Sequence, residues 1–393
     1  MGEDERKRKM AGRQRKRPAE NYFDYSLLFI VLFLLGFGLV MIYSTSSYEA
    51  TLQGHESTFY LKKQVMATVI GLAAMIVVAN IPYHFWEQFA TIAYIGSAVL
   101  IVMVLVPQLQ YSANGATRWI KVGPLTLQPA EVAKLGMILF LASLVCRMGR
   151  AIRTTKGFFM VLLIPAPICV MIWQITNNMS SAIIVFGIAA LMLFVASPEY
   201  KKFIILAAGG AAVIAVVIFF ISQAASAEGM GFRSERILAW LDPEAYASGK
   251  GFQTLQALYA IGSGGILGKG LGQSMQKLGF LPEAQNDMIF SIICEELGLF
   301  GAISIILMFL LLIWRFMVIA NNASDLFGAL LVVGVMGHIA IQVILNIAVV
   351  TNTIPNTGIS LPFISYGGSA VLFLMIEVGI VLSVAKGIRL KDI

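Results

Sequence analysis

Ten long apolar stretches dominate the sequence and restrict what the chain can fold into. A helix needs about 20 mostly apolar residues to cross about 30 Å of hydrocarbon, and all ten stretches come close to that length. Only 12% of the 393 residues are charged, against about 25% in a typical soluble domain, so a water-soluble globular fold is excluded. We predict an all-α polytopic membrane protein with about ten transmembrane helices, at 25–43, 64–81, 88–106, 130–147, 157–174, 180–197, 202–222, 288–317, 326–350 and 369–386.

The charges between these stretches predict the orientation of the chain. An even number of spans places both termini on one side of the membrane. Cytoplasmic loops carry an excess of Lys and Arg, so this side is predicted to be cytoplasmic. Cationic residues recur in the short loops on this side and after the last span: Arg147, Arg150, Arg153, Lys156, Lys201, Lys202, Arg315, Lys386, Arg389 and Lys391.

The two ends of the chain differ in composition from the spans. Residues 1–22 are rich in Lys and Arg, and they are predicted to form a basic, disordered cytoplasmic tail beside anionic lipid. A cleaved signal peptide is the alternative, but no A-x-A-like site follows the first apolar run. Residues 23–386 are then the ten-helix membrane domain, and 387–393 are a short cytoplasmic C-terminal tail.

Three segments on the opposite side are too long and too polar to be simple connectors. They are 107–129, 351–368 and the large extracellular loop 223–287 between helices 7 and 8. Long loops in compact proteins usually carry function, so chemistry is expected on the outer face, where ATP and nicotinamide are not supplied. No organic cofactor is therefore expected. The glycine-rich run 262–272 lacks the G-x-x-x-x-G-K-[ST] order of a phosphate-binding P-loop.

Ionisable residues at the ends of two spans are costly in a membrane and therefore informative. Glu131 and Lys134 are three residues apart at the start of span four, where they can pair. The pair either anchors the helix end or lines a polar cavity open to the outside. At the start of span eight, Asp287 is predicted near the outer interface and is followed by Glu295 and Glu296 at greater depth.

Two further patterns concern the last three spans. Asp287, Ser291 and Glu295 are predicted to form one polar stripe. His338, Gln342 and Asn346, spaced four residues apart in span nine, are predicted to make hydrogen bonds between helices inside the bundle, a role preferred to metal binding. Glu377 is a further carboxylate in span ten, and the sequence does not indicate its partner.

Eight segments match the motifs of one family in order. Together they resemble the SEDS proteins (shape, elongation, division and sporulation), the family of FtsW, RodA and SpoVE, from the first span to the last. The LPEA form and the basic tail are more similar to the FtsW/SpoVE branch than to RodA. The segments are 115–120 (GATRWI), 127–134 (LQPAEVAK), 236–243 (RILAWLDP), 251–256 (GFQTLQ), 268–272 (GKGLG), 281–290 (LPEAQNDMIF), 295–298 (EELG) and 358–369 (GISLPFISYGGS).

The resemblance implies an inverting glycosyltransferase that polymerises lipid II, the undecaprenyl-diphosphate-linked disaccharide peptide, into β-1,4 glycan strands of peptidoglycan. Implied partners are lipid II, the growing glycan strand, a class B penicillin-binding protein with transpeptidase activity, division-complex membrane proteins and membrane lipids, with no nucleic acid. A multi-pass location in the bacterial cytoplasmic membrane, at the division septum, follows. The alternatives are a RodA-like elongation polymerase, a lipid II flippase or transporter, and a non-catalytic scaffold for division proteins.

The family's essential aspartate falls on Asp287, and its Glu and Lys at the start of span four fall on Glu131 and Lys134. The chain departs from the family at 176–181 (TNNMSS), where QPDLGT is common. Asn178 there replaces an acid, which counts against a catalytic acid at this position. A second departure, 286–288 (NDM) where TDF is usual, leaves the carboxylate of Asp287 in place.

A single displacement at the anomeric carbon needs one general base and stabilisation of the leaving diphosphate. Asp287 is the predicted base. The diphosphate charge could be met by backbone N–H groups of 262–272, by a divalent cation such as Mg²⁺ or Mn²⁺ held near Asp287, or by cationic side chains. Arg118, Lys277 and Asp287 are expected to cluster at the outer face. The predicted substrate-binding residues are Glu131, Lys134, Arg118, Arg233, Arg236, Gln253, Lys269, Lys277, Glu296, Ser365 and Tyr366.

Overall fold

The computed structural model of the protein is predominantly helical. It describes residues 23–113, 116–122, 125–197, 199–223, 232–249 and 251–388. The predicted tail at 1–22 and residues 389–393 of the predicted tail at 387–393 therefore lie outside the described residues. The helices are α1 (Tyr25–Leu52), α2 (Phe59–Ala79), α3 (His84–Glu87), α4 (Ala90–Met103), α5 (Pro129–Met148), α6 (Thr155–Leu163), α7 (Pro165–Ile175), α8 (Met179–Ala196), α9 (Tyr200–Gln223), α10 (Phe232–Leu241), α11 (Phe252–Gly264), α12 (Ile289–Asn321), α13 (Leu326–Val350) and α14 (Gly368–Lys386).

Each of the ten predicted spans coincides with a helix or a helix pair. Among the described residues, eight helical segments are long and apolar enough to cross a membrane. They comprise α1, α2, α5 with its 3-10 extension to Arg153, α6 together with α7, α8, α12, α13 and α14. The other two predicted spans correspond to α4, which has only 14 residues, and to α9, which has 24. The multi-pass membrane fold is confirmed, whereas the count of ten spans and their orientation stay predictions.

A small antiparallel sheet departs from the predicted all-α fold. Strands β1 (Gln110–Ala113), β2 (Ala116–Val122) and β3 (Leu125–Leu127) lie in the order β1-β2-β3 within the outer segment 107–129. Strands of three to seven residues give a weak periodic signal in sequence, so the segment was predicted only as a long polar loop. The sheet leads directly into α5, whose first helical residue is Pro129, a position where proline loses no hydrogen bond.

Helix α13 lies at the centre of the bundle. It contacts α5, α8, α12 and α14, and α14 packs in turn along α2. Small residues allow this close packing. A Cβ on Gly334 would lie 2.6 Å from the side chain of Ile138 in α5, and one on Gly337 would lie 2.5 Å from the side chain of Leu191 in α8. The polar residues of α13 are therefore enclosed on several sides.

Helix α12 is interrupted at Gly298, whose φ of 66° and ψ of −166° are outside the helical region. At this break the glycine-rich run 262–272 packs against the helix, and the N–H of Leu299 donates to the carbonyl of Gly265 at 2.9 Å. A Cβ on Gly298 would lie 2.4 Å from the backbone nitrogen of Gly268. Since both the φ angle and the close approach require glycine, the large loop and the helix interlock here.

Replacing Gly298 by alanine is expected to lower the free energy of unfolding. The backbone strain alone costs about 1–3 kcal/mol, and the overlap with the glycine-rich run adds to it. The thermal unfolding of purified protein in detergent, followed by tryptophan fluorescence, measures the effect. Gly36→Ala in α1 is the control, because no described atom lies within 4 Å of a Cβ there. Equal unfolding temperatures for the two variants would contradict the prediction.

Candidate functional site

Asp287 lies in the turn that precedes α12 and is only 9% exposed. Its backbone carbonyl accepts a hydrogen bond from Asn346 Nδ2 of α13 at 2.7 Å, and the same nitrogen donates to the carbonyl of Ile359 at 2.7 Å. Among the described residues, Asp287 Oδ1 has no hydrogen-bond partner. The carboxylate is therefore held by its backbone, while one oxygen remains able to accept a proton.

The segment 358–366 forms one wall of this site. Ser365 Oγ donates to the carbonyl of Asn286 at 2.6 Å, and the N–H of Tyr366 donates to the carbonyl of Gln285 at 2.9 Å. The ring of Tyr366 packs edge-on against Tyr60, with ring centroids 5.2 Å apart. In this structure Ser365 and Tyr366 hold the backbone beside Asp287, so the substrate contacts predicted for them stay a prediction.

Two arginines from different loops act on the charge of Asp287. Burial raises the pKa of Asp287 to about 7, helped by the negative charge of Glu283 and opposed by the positive charges of Arg236 and Arg118. Burial lowers the pKa of both arginines, and the negative charge of Asp287 acts in the opposite direction and raises it. The site therefore combines two cations with a carboxylate whose pKa is raised to about 7. Perturbed pKa values of this kind cluster at catalytic sites.

The two arginines are anchored to different parts of the chain. Arg118, on strand β2, donates from Nη2 to the carbonyl of Asn177 at 3.2 Å. Arg236, on α10, donates from Nη1 to the carbonyl of Asn356 at 3.5 Å. Arg233 also belongs to α10, but its side chain lies outside the described residues. The predicted approach of Arg118 to Asp287 is thus present, with Arg236 as the second cation.

A cavity of about 240 Å³ opens beside Arg236, lined also by Trp240, Phe252, Gln253, Pro282 and Asn356. Gln253 lies in its wall, where Nε2 donates to the carbonyl of Pro282 at 3.2 Å and Oε1 accepts from Asn356 Nδ2 at 2.8 Å. Trp240 Nε1 donates to the carbonyl of Asn352 at 3.0 Å. The cavity offers aromatic rings and Arg236, whose charge acts on Asp287, features suited to a sugar phosphate.

Lys277 and Glu296 form a buried ion pair. Lys277 Nζ lies 2.7 Å from Glu296 Oε1, and Ser44 Oγ donates to the same carboxylate oxygen at 2.7 Å. Glu296 is fully buried and Lys277 nearly so. The expected clustering of Lys277 with Arg118 and Asp287 stays a prediction. In this structure the lysine is engaged by Glu296 and Ser44 and ties the large loop to α1 and α12. No observation here tests the predicted substrate contacts of the pair.

The neighbouring acid, Glu295, is engaged by the same loop. Its Oε1 lies 2.7 Å from Lys269 Nζ, and Ser274 Oγ donates to its Oε2. The N–H of Lys269 donates to the carbonyl of Glu295 at 3.0 Å, and that of Gly270 donates to the carbonyl of Glu296 at 2.9 Å. These N–H groups, considered above as diphosphate ligands, are occupied by the helix. The glycine-rich run therefore stabilises the break in α12.

The predicted stripe of Asp287, Ser291 and Glu295 does not form one site. Helix α12 begins only at Ile289, so the helical spacing does not include Asp287. Ser291 Oγ donates to the carbonyl of Met288 at 2.7 Å, whereas Glu295 faces the glycine-rich loop. The stripe was wrong because it applied helical spacing to Asp287, which lies two residues before the helix begins.

Glu131 and Lys134 pair as predicted, with Oε1 and Nζ 2.7 Å apart. Both residues are buried, at 5% and 2% exposure, so in this structure they do not face an open cavity. Lys134 Nζ also lies 3.4 Å from Gln342 Oε1. The pair therefore belongs to a polar network inside the bundle, at the level of Gln342, and its predicted contact with substrate stays untested.

Asn178, which replaces an acid common in the family, caps α8. Its Oδ1 accepts a hydrogen bond from the N–H of Ser181 at 3.0 Å, a role that asparagine and aspartate fill equally well. Next to it, the backbone of Asn177 holds Arg118. The replacement therefore preserves the local structure that supports the site.

The fold and the site define a multi-pass membrane protein in which a buried carboxylate and two arginines meet where the helices join the large loops. The chain belongs to the FtsW/RodA/SpoVE family of cell cycle proteins, whose sequence profile matches residues 25–389. It is 38% identical to stage V sporulation protein E of Bacillus subtilis over 363 residues, covering 92% of this chain and 97% of the relative. It is 36% identical to the probable peptidoglycan glycosyltransferase FtsW of Geobacter metallireducens over 367 residues, covering 93% and 96%.

Solved structures share the same fold. A peptidoglycan synthase complex, described as coordinating polymerization and crosslinking, contains a chain that superposes with a TM-score of 0.73 at 25% identity, covering 92% of this chain and 97% of that one. The rod shape determining protein RodA of Thermus thermophilus superposes with a TM-score of 0.65 at 25% identity, covering 94% and 98%. The predicted family is thereby confirmed.

The sequence singled out Asp287 and both arginines but missed part of their surroundings. Glu283 and Asn356 were not predicted to lie at the site. Asn346 was predicted only to bond between helices, whereas it holds the backbone of Asp287. Its place on a polar stripe of an apolar helix was the available signal, and the structure adds the identity of the partner.

Proposed function

We propose that the protein is a peptidoglycan glycosyltransferase that polymerises lipid II into β-1,4 glycan strands on the outer face of the cytoplasmic membrane, for cell division or a related wall-synthesis process. The observation that carries the proposal is the buried carboxylate of Asp287, on which the charges of Arg118 and Arg236 act. The name of the Geobacter metallireducens relative supports the reaction type.

The site geometry suits a single displacement. Asp287 removes the proton from the acceptor's 4-hydroxyl as that oxygen attacks the anomeric carbon of the diphosphate-linked sugar. The bond from that carbon to the diphosphate oxygen breaks, and the lipid diphosphate leaves with the electron pair. The anomeric centre inverts from α to β. Arg118 and Arg236 stabilise the charge that develops on the leaving group.

A divalent cation fits this site only with help from the substrate. No cluster of three His, Cys, Asp or Glu side chains suited to a metal occurs in the described part of the chain. Magnesium is commonly bound by one or two carboxylates together with substrate phosphates. Asp287, with Glu283 nearby, would hold Mg²⁺ or Mn²⁺ against the diphosphate, where the ion would neutralise leaving-group charge.

The direct test is glycan synthesis by the purified protein. Labelled lipid II is supplied to the protein alone and together with a candidate class B penicillin-binding protein, with and without Mg²⁺ or Mn²⁺, and the products are separated on a gel. Glycan strands of several disaccharides are expected. Lipid II that remains unpolymerised in every arm would contradict the proposal.

A lipid II flippase is the second candidate, because buried carboxylates within the bundle also occur in proton-coupled carriers. The observation that favours it is the network of Glu131, Lys134, His338 and Glu377 at depth. Labelled lipid II in sealed vesicles separates the two functions, since a flippase moves lipid II between leaflets without joining sugars.

The remaining proposals concern the setting of the enzyme. A class B penicillin-binding protein is the proposed partner, which fits the likeness to a chain of a peptidoglycan synthase complex. Division-complex membrane proteins and a location at the septum are proposed by analogy with FtsW. Fluorescent fusions imaged in dividing cells would test that location.

The polymerisation rate is expected to rise with pH and to be half-maximal near pH 7. The base must be ionised to accept a proton, and the pKa of Asp287 is raised to about 7. Because Glu283 raises this pKa and Arg236 lowers it, Glu283→Gln should move the rise to lower pH and Arg236→Gln to higher pH. Initial rates over a pH series measure both shifts. A rate that falls as pH increases through 7 would contradict the assignment.

A further inference from the structure

The polar residues of α13 form a continuous hydrogen-bonded line through the bundle. His338 Nδ1 lies 2.8 Å from Glu377 Oε2 of α14, and His338 Nε2 lies 2.9 Å from Gln342 Oε1. Gln342 Oε1 also lies 3.4 Å from Lys134 Nζ. His338 and Glu377 are completely buried, and Gln342 is nearly so. The proposed reaction uses neither His338 nor Glu377 directly.

The orientation of the Gln342 amide follows from its partners. Its Nε2 donates to the carbonyl of Ser360 at 3.0 Å, so its Oε1 must be the acceptor that faces Lys134 and His338. His338 Nε2 therefore carries a hydrogen and donates to this oxygen. A hydrogen bond of 2.8 Å between His338 Nδ1 and Glu377 Oε2 then requires one proton between them. Gln342 Oε1 thus accepts from both Lys134 and His338.

The end of this line at Gln342 reaches the segment beside the candidate site. Gln342 holds the carbonyl of Ser360, and one helical turn further Asn346 holds the carbonyls of Ile359 and Asp287. Next to them, a Cβ on Gly358 would lie 3.6 Å from Asp287 Oδ2. Helix α13 thus fixes two consecutive carbonyls of the segment that contacts the carboxylate.

We propose that Glu377 and His338 are positioning residues for the reaction site. They orient the amide of Gln342. Its Nε2 fixes the carbonyl of Ser360 in the segment beside Asp287, and its Oε1 accepts from the ammonium group of Lys134. The role needs a hydrogen-bonding side chain at position 377, and it does not need a proton to move. The proposal rests on the proposed glycan polymerisation for its kinetic readout alone.

The side chain at 377 gives a sharp test. Glutamine is the same size as glutamate, and its amide N–H can donate to His338 Nδ1, so Glu377→Gln should retain the kcat of the natural protein within about threefold. Glu377→Leu removes the hydrogen bond to His338 and should lower kcat by about 10- to 100-fold, the range expected for a small misplacement of reacting groups. KM for lipid II should change less than about twofold, since the cations at the site are untouched.

Two further variants keep the test independent of folding defects. Gln342→Met is similar in size and breaks the line at its centre, so it should reproduce the kcat loss of Glu377→Leu. Ser383→Ala is the control, because Ser383 Oγ on the same helix donates to the carbonyl of Ile81 at 2.6 Å without touching the line. Its kcat should match that of the natural protein.

A readout without substrate separates this proposal from the proposed function. Hydrogen–deuterium exchange of residues 358–366 should be faster in Glu377→Leu and in Gln342→Met, and unchanged in Glu377→Gln and Ser383→Ala. If lipid II is not polymerised by any protein, the proposed function fails, yet the exchange pattern still tests positioning. Equal defects in Glu377→Gln and Glu377→Leu would indicate proton movement and overturn the proposal. Unchanged exchange in Glu377→Leu would overturn it as well.

Discussion

Replacing Asp287 by asparagine is expected to abolish glycan-strand synthesis while the protein still folds and inserts into the membrane. The amide has the size of the carboxylate but cannot accept a proton, and a general base contributes about 10²- to 10⁴-fold to a rate. Labelled lipid II given to the purified variant, with products separated on a gel, measures the loss. Synthesis at the rate of the natural protein would remove Asp287 from the mechanism.

Stability provides an independent check on the same variant. Because burial raises the pKa of Asp287 in the folded state, folding favours the protonated form, and the ionised carboxylate lowers stability as pH rises above the ordinary pKa of an aspartate. The amide introduced by Asp287→Asn is neutral at every pH, so the variant should unfold at a temperature no lower than the natural protein at pH 8. Asp242→Asn, in the same large loop, is the matched control for activity, since Asp242 is exposed and its carboxylate accepts the N–H of Ala245.

Replacing Lys277 by methionine is expected to lower the free energy of unfolding by about 3–5 kcal/mol, the cost of leaving a buried charge without its partner. Glu296 is fully buried, and among the described residues Ser44 would remain as its hydrogen-bond partner. The thermal unfolding of the purified protein in detergent measures the change. Combining Lys277→Met with Glu296→Gln should restore part of the loss, because the second change removes the unpaired charge.

An exposed ion pair provides the matched control. Lys62 and Glu56 also form an ion pair, but their side chains are 67% and 75% exposed, and surface pairs contribute about 0–1 kcal/mol. Lys62→Met should therefore change the unfolding temperature little. If Lys277→Met unfolds at the same temperature as Lys62→Met, the buried pair does not stabilise the junction of loop and helices.

Periodicity and composition predicted the helices well, since apolar stretches of membrane length have few alternative structures. They could not predict the break at Gly298, because glycine occurs in membrane helices for several reasons and its φ of 66° depends on the loop that packs there. They also missed the three strands of 107–129, whose pairing joins residues too few to show a pattern. Tertiary contact decided both features.

The candidate site was likewise predicted only in part. The motif around Asp287 and the charge pattern of the outer loops identified the carboxylate and the arginines. The sequence could not distinguish Arg236, which acts on Asp287, from Lys277, which is engaged by Glu296, because both are cations in one loop. Their partners lie in distant segments, and only the fold brings those segments together. Asn346 shows the same limit, since its spacing predicted a hydrogen bond without its acceptor.

The glycine-rich run and the broken helix interlock, so the loop and the helix form one structural unit. Backbone hydrogen bonds join 265–270 to 295–300, and the ion pairs of Lys269 and Lys277 close the same junction. A loop transplanted from a relative without its helix would lack the helix surface against which it packs. We therefore expect that a chimaera with a relative retains its fold only when 252–300, which joins the loop to the membrane helix, is transferred as one segment.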